Sequence, residues 1–152
     1  MIRETLTRED AIEIFRDADP KIMAEWDSLL NFVTPENKAD EIMEWHTCKW
    51  VLKDKKGRPV AMFGMSRTTE TTYTAWCLTV KGAQKRVWGQ MARDMREITE
   101  IVLRKRWAKR IHAFICRDRP EALAFAEKMG MEKQTLLIDY GVDKDFYLMV
   151  VK

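Results

Sequence analysis

Cysteine is scarce in this chain: Cys48, Cys77 and Cys116 are odd in number and widely spaced. That excludes a disulfide frame and reads as buried thiols in a reducing compartment. No apolar run approaches the roughly 20 residues that a helix needs to cross a bilayer, so no membrane span is expected. The opening MIRETLTRED lacks a basic stretch followed by an apolar one, so export through a signal peptide is not expected either. Histidine is rare too. His46 and Cys48 stand two apart with no Cys-x-x-Cys or His-x-x-x-His partner set, so no metal site is expected. Repeats, low-complexity tracts and linkers are also missing, which leaves one domain over residues 1–152.

What is present is ordinary globular material, with 46% apolar and 34% charged residues, a balance that argues against disorder. The charge is unevenly spread. Residues 1–47 hold 12 acids and 5 bases, net −7, whereas residues 81–110 hold 10 bases and 3 acids, net +7. Such asymmetry suits a steering field or an anionic ligand, or reflects two solvated helix faces of opposite sign.

IRETL alternates and predicts a short first strand. Thr7 then opens a helix over TREDAIEIFRDA, with acids in the first turn and an apolar face of Ala11, Ile12, Ile14 and Phe15. Asp19 as N-cap and Pro20 at the first helical position begin a second helix, DPKIMAEWDSLLNFV. ENKADEIMEW predicts a third. From Cys48 the period changes: CKWVLKDKKGRPVAMFGMS predicts a hairpin that turns at Gly57, with Pro59 opening the return strand. TTYTAWCLTV is apolar enough for a central strand.

The longest helix is predicted over 83–107, with Val87, Trp88, Met91, Met95, Ile98, Ile101 and Val102 on one face. Gly89 inside it costs up to about 1 kcal/mol against alanine, which points to a close backbone approach. KRIHAFIC follows as a strand, and Pro120 opens a short helix ending at Gly130. KQTLLIDYG and DFYLMVVK close the chain as an antiparallel pair. The class is therefore α+β with a mainly antiparallel sheet, and one strand–helix–strand crossover over 72–117 makes two strands parallel. Trp26 and Trp88 fall on core phases, while Trp45, Trp50 and Trp107 are candidates for an interaction surface. RKRWAKR around Trp107 is a weak signal without a nucleic-acid-binding fold, so nucleic acid is not an expected partner. His112 reads as a sheet-face residue.

This order of elements, with AEKMGM at the end of the short helix, resembles the GCN5-related N-acetyltransferase (GNAT) fold over nearly the whole chain. The stretches TAWCLTV, KGAQKRVWGQMARDMREI, HAFICRDRPEALAFAEKMGM and DKDFYLMVV also look like a narrower group, the internal virion protein A family of short-tailed bacteriophages. The GNAT resemblance implies an acetyl-CoA slot where two parallel strands splay. Its wall would be Leu78, Thr79 and Val80, its phosphate contacts Lys81, Lys85 and Arg86 at a helix start, and its facing strand HAFIC.

Two features depart from that pattern. The loop glycines of the family fall on Arg86 and Trp88, whose side chains obstruct the close backbone approach that glycine permits; Gly82 lies too early and Gly89 one residue late. The short helix commonly opens with asparagine, here Arg119, and its proton-donating tyrosine falls on Ala126, which carries no proton to give. Glu70 and Tyr73 are candidate bases, and Tyr140 and Cys116 candidate acids. The narrower resemblance and these departures together imply a bacteriophage protein of the virion or its assembly, with weak or no catalysis. Its expected partners are other virion or host proteins, and its expected place is the host cytoplasm or the particle. The retained splay strand and Gly130 turn imply the alternative of an active acetyl-CoA-dependent N-acetyltransferase that modifies a host protein. A second alternative is a protein-binding module docking through the acidic helices or through Lys105, Arg106 and Lys109.

Overall fold

Buried residues recur every three to four positions along the helices, so each has one face to hide, whereas the third strand is buried on both faces over residues 61–65 and the first strand is exposed throughout. The computed structural model describes every residue except Asn31 and Thr47. Seven strands form one sheet in the order β1-β2-β3-β4-β5-β7-β6. They are β1 (Ile2–Thr5), β2 (Lys49–Lys53), β3 (Pro59–Arg67), β4 (Thr72–Thr79), β5 (Arg110–Cys116), β6 (Glu132–Gly141) and β7 (Lys144–Val151). The helices are α1 (Arg8–Arg16), α2 (Pro20–Leu29), α3 (Pro35–Glu44), α4 (Lys85–Arg104) and α5 (Pro120–Lys128). All neighbours pair antiparallel except β4 and β5. That exception is the crossover through α4.

Strand alternation divides the core into two. Ala61, Phe63 and Met65 of β3 point to the side of α4 and α5, where they meet Val87, Met91 and Met95. Met62 and Leu78 point the other way, onto Ile14, Ile22 and Ile42 of α1, α2 and α3. The α+β mixed sheet expected from the sequence is thus the observed one. Among the described residues, no helix is long and apolar enough to cross a membrane.

Local chemistry explains most helix ends. The Thr7 hydroxyl accepts the Asp10 N–H at 3.2 Å while the Asp10 carboxylate accepts the Thr7 N–H at 3.4 Å, a reciprocal cap for α1. Asp19 caps α2 ahead of Pro20, and Thr34 caps α3 ahead of Pro35. Two expected ends shift. The second helix stops at Leu29 rather than Val33, because the Ser28 carbonyl accepts the Val142 N–H at 2.9 Å from the β6–β7 turn. Asn31, within the expected extension, lies outside the described residues. The long helix ends at Arg104 rather than residue 107. Arg106 turns left-handed at φ 58° and the Trp107 N–H closes back on the Val102 carbonyl at 3.0 Å, a helix-ending loop that usually uses glycine.

The glycines of the middle sheet and of α4 behave differently. A Cβ on Gly64 would stand 2.4 Å from the Cys48 carbonyl oxygen and 2.8 Å from the Trp76 ring, so the bare backbone here lets Trp76 lie flat on β3. The close approach expected at Gly89 does not occur, since its nearest neighbour is the flexible end of Arg93 at 3.7 Å. In urea unfolding, Gly64→Ala should therefore lose roughly 1–3 kcal/mol through overpacking, whereas Gly89→Ala should gain up to about 1 kcal/mol of helix stability.

Candidate functional site

The site begins where β4 and β5 separate. They share only the pairs Thr72↔Arg110, Tyr73↔Ile111 and Thr74↔His112. Each strand then continues on its outer partner alone: β4 on β3 as far as Thr79, and β5 on β7 as far as Cys116. The inner edges from Ala75 and Ala113 onward face each other across a widening gap. A cavity of about 790 Å³ runs through it, lined from both sides of the sheet.

Stranded backbone groups must find partners when buried, and here α2 and the turn before it supply several. The Asp19 N–H donates to the Thr79 carbonyl at 3.1 Å, and the Lys81 N–H donates to the Asp17 carbonyl at 2.7 Å. At the end of β5 the Cys116 N–H donates to Glu25 Oε1 at 2.9 Å. Strand alternation turns the main chain of Cys77 toward the same gap as that of Thr79.

Glu25 is the centre of this arrangement. Its second oxygen accepts from Arg119 Nη1 at 2.6 Å, and both side chains are only 10–12% exposed. Arg119 stands at the N-cap of α5 without capping it. It reaches instead across the mouth of the gap, with its Nε on Glu121 at 3.2 Å. Burial works against the guanidinium charge, but the Glu25 and Glu121 carboxylates more than offset it and raise the Arg119 pKa. Glu25 was missed in the sequence. Its signal is a carboxylate in the apolar stripe of Ile22, Trp26 and Leu29, a costly place unless a cation waits opposite.

On the α4–α5 side, Trp88 packs against both cores, so its indole spans the sheet at the gap. It meets Phe125 of α5 edge-on, with ring centroids 5.4 Å apart. Ala126 lies beside it in the wall, 3% exposed. On the α1–α3 side, Trp26, Trp45 and Trp76 form a contiguous wall, and Phe114 stacks on Tyr140 at 4.9 Å. Trp45, expected as a surface residue, is half-buried in that wall, and Trp50 packs on Phe63. Trp107 is 56% exposed, beside Lys105.

The candidate residues scatter around this cavity. Tyr140 lines it. Glu70 is exposed in the β3–β4 turn, Tyr73 packs on the core of the α4–α5 side, and Cys116 is buried; none of these three is among the lining residues. Leu78 and Thr79 are buried, the Val80 N–H faces β3 and donates to the Val60 carbonyl, and on the gap side the Thr79 carbonyl already accepts the Asp19 N–H. Lys85 and Arg86 are exposed in the first turn of α4, which has no side-chain cap and no acid. His112 stands at the fork, its pKa lowered by burial and by Arg110, with Nε2 buried and unpaired. Among the described residues, no group of three or more His, Cys, Asp or Glu is placed to hold a metal.

The sequence matches no family model and no curated protein. The fold does have solved counterparts. Ard1 from Thermoplasma volcanium superposes with a TM-score of 0.75 at 19% identity, covering 99% of this chain and 95% of that one. A GNAT-family acetyltransferase from Bacillus anthracis gives 0.74 at 12% identity, covering 98% and 92%. Spermidine N-acetyltransferase from Vibrio cholerae, in complex with CoA and spermine, gives 0.76 at 13% identity, covering 99% and 94%. The chain has the GNAT fold.

By the resemblance drawn from the sequence, the parted strands are the expected position for acetyl-CoA. Arg86 and Trp88 stand where the sequence resemblance expects the loop glycines, and Trp88 packs against both cores at the gap. Ala126 has no hydroxyl to offer a leaving thiolate. Cys77, in the wall, does not substitute: burial, reinforced by the Glu25 charge, pushes its thiol from 9.0 up to about 12. A thiol held that firmly is a weaker acid than the thiols it would have to protonate.

The Cys77 shift has a stability consequence. Unfolded protein sheds this proton above the ordinary thiol range while folded protein retains it, so stability falls as pH rises from 9.0 toward about 12. Urea midpoints across that window should drop more steeply for the parent protein than for Cys77→Ala.

Proposed function

We propose that this chain is a GNAT-fold protein in which binding has outlived acyl transfer, and that it serves the virion of a short-tailed bacteriophage or its assembly through other virion or host proteins. The observation that carries the loss of transfer is Trp88. From a position where the family resemblance expects glycine, its indole enters the strand gap and closes on Phe125. Ala126, which leaves the short helix without a proton donor, supports the same reading. The virion assignment rests on the resemblance of the stretches from TAWCLTV to DKDFYLMVV, and mass spectrometry of purified particles tests it.

The splay itself favours a second reading, an N-acetyltransferase that modifies a host protein. The gap is present, and the uncapped, basic start of α4 offers an anion the positive end of a helix. Titration calorimetry separates the two. Under the first reading acetyl-CoA binds weakly or not at all to the parent chain, and Trp88→Gly gains about tenfold, or about 1.4 kcal/mol. Micromolar binding to the parent chain, together with turnover of an acyl thioester, establishes the second.

A further inference from the structure

We propose that the loop between α4 and β5 binds single-stranded nucleic acid, with Trp107 as the stacking platform for a base and the cations around it as phosphate contacts. The site lies at the end of the sheet where β4 and β5 are still paired. It is separate from the cavity and needs neither acetyl-CoA nor turnover.

The loop carries strain. α4 closes through two bonds, from the Arg106 N–H to the Leu103 carbonyl at 3.1 Å and from the Trp107 N–H to the Val102 carbonyl at 3.0 Å. That pattern needs a left-handed residue at Arg106, φ 58°, where glycine sits without strain. Arginine there gives up stability and places a guanidinium beyond the helix end. The next position calls for an apolar group that packs back on the helix. An aliphatic side chain would suffice for that, yet the residue is a tryptophan that stays 56% exposed.

Charge around the ring is of one sign. Residues 101–117 contain six lysines and arginines and no acid. Arg104, Lys105, Arg106 and Lys109 are exposed, and the ion pairs nearest in sequence, Arg96 with Glu100 and Arg117 with Asp145, leave them out. Arg104 and Lys105 suit the negative end of the helix dipole, but Arg106 and Lys109 lie past it. The Lys109 N–H donates to the Thr71 carbonyl at 2.8 Å, which brings the β3–β4 turn and its Glu70 alongside. Arg110 bonds Gln134 of β6, whose neighbours Glu132 and Lys133 offset each other. Five bases, counting Arg110, against Glu70 give net +4. This loop takes an anion.

The ring narrows the kind of anion. Ile2, Ile138 and Val142, which are also large, apolar and exposed, lie at the other end of the sheet. A membrane surface or an apolar protein face gains from a rim of such side chains. An indole flanked by cations, with Lys105 Nζ 5.9 Å from its centroid, offers a flat face instead. A polymer that alternates planar bases with phosphates uses both features, and only an unpaired strand has bases free to stack. The exposed hydroxyls of Thr69 and Thr71 in the facing turn are further phosphate donors. The cluster RKRWAKR is a weak signal as sequence; the open indole and the left-handed arginine are what the structure adds.

Fluorescence anisotropy of a short labelled oligothymidylate, titrated with the full chain, tests the site. Binding should saturate below about 100 μM protein at about 50 mM salt, and weaken roughly twentyfold by about 200 mM as about three phosphates shed counterions. Trp107→Leu, which keeps an apolar group at the helix end, should weaken binding about tenfold with the salt slope unchanged. Lys109→Gln should weaken it and flatten the slope by about 0.7. Arg106→Gly should raise the urea midpoint and still weaken binding. Failure to saturate overturns the proposal, as does an affinity unmoved by Trp107→Leu and Arg106→Gly. Polyglutamate, duplex DNA or phosphatidylglycerol vesicles that displace the label as well as unlabelled oligothymidylate, at equal total charge, also overturn it.

Discussion

Two adjacent parallel strands that stop sharing hydrogen bonds leave N–H and C=O groups in the middle of a protein, and the rest of this molecule is arranged around that problem. β4 and β5 hold together for three residue pairs and then part. Part of the solution is internal: the turn between α1 and α2 bonds the end of β4, and Glu25 bonds the end of β5. The remainder is space, and the space is the cavity. Fold and candidate site are thus one feature seen twice, since the turn before α2 bonds one lip of the gap and Glu25 of α2 bonds the other. Glu25 and Arg119 matter most in this respect. A buried carboxylate and guanidinium are costly singly and tolerable together, and this pair joins the helix on one side of the sheet to the helix start on the other.

The two halves of the cavity have diverged in character. Toward α4 and α5 the walls close through Trp88 and Phe125, and the helix start beside them is basic. Toward α1, α2 and α3 the walls are broad aromatic surfaces in an acidic surround. The charge asymmetry visible in the sequence therefore corresponds to the two faces of the sheet, not to two unrelated helix surfaces.

Most of the architecture was legible because its signals are local. Thr7 and Asp10, Asp19 and Pro20, Gly57, and Pro120 with Gly130 each announce a helix or strand boundary within a few residues, and the structure uses all of them. The crossover was legible from order alone. The site was less so, because its parts are distant in sequence. Glu25 and Arg119 are 94 residues apart, and nothing near either names the other. Trp88 read as an ordinary core residue, since helical period says which way a side chain points but not that the sheet beneath it is split. Gly89 misled for a related reason: helical context suggests a close neighbour, while the structure leaves open room beside it. Trp45 was assigned to the surface because its position at the end of α3 conceals that Trp26 and Trp76 come to meet it.

The sheet's outer strands carry a further consequence. β1 and β6 are its two edges, and edges with free backbone groups invite pairing with other chains. β1 is only four residues long and bears Arg3 and Glu4. β6 begins with Glu132 and Lys133, and its register breaks twice, between Lys133 and Thr135 and between Leu137 and Gly141. Short length, ionic side chains and kinks are the devices by which proteins make an open margin a poor template for aggregation. A protein built this way tolerates crowding at high local concentration without its sheet growing by accretion at either border.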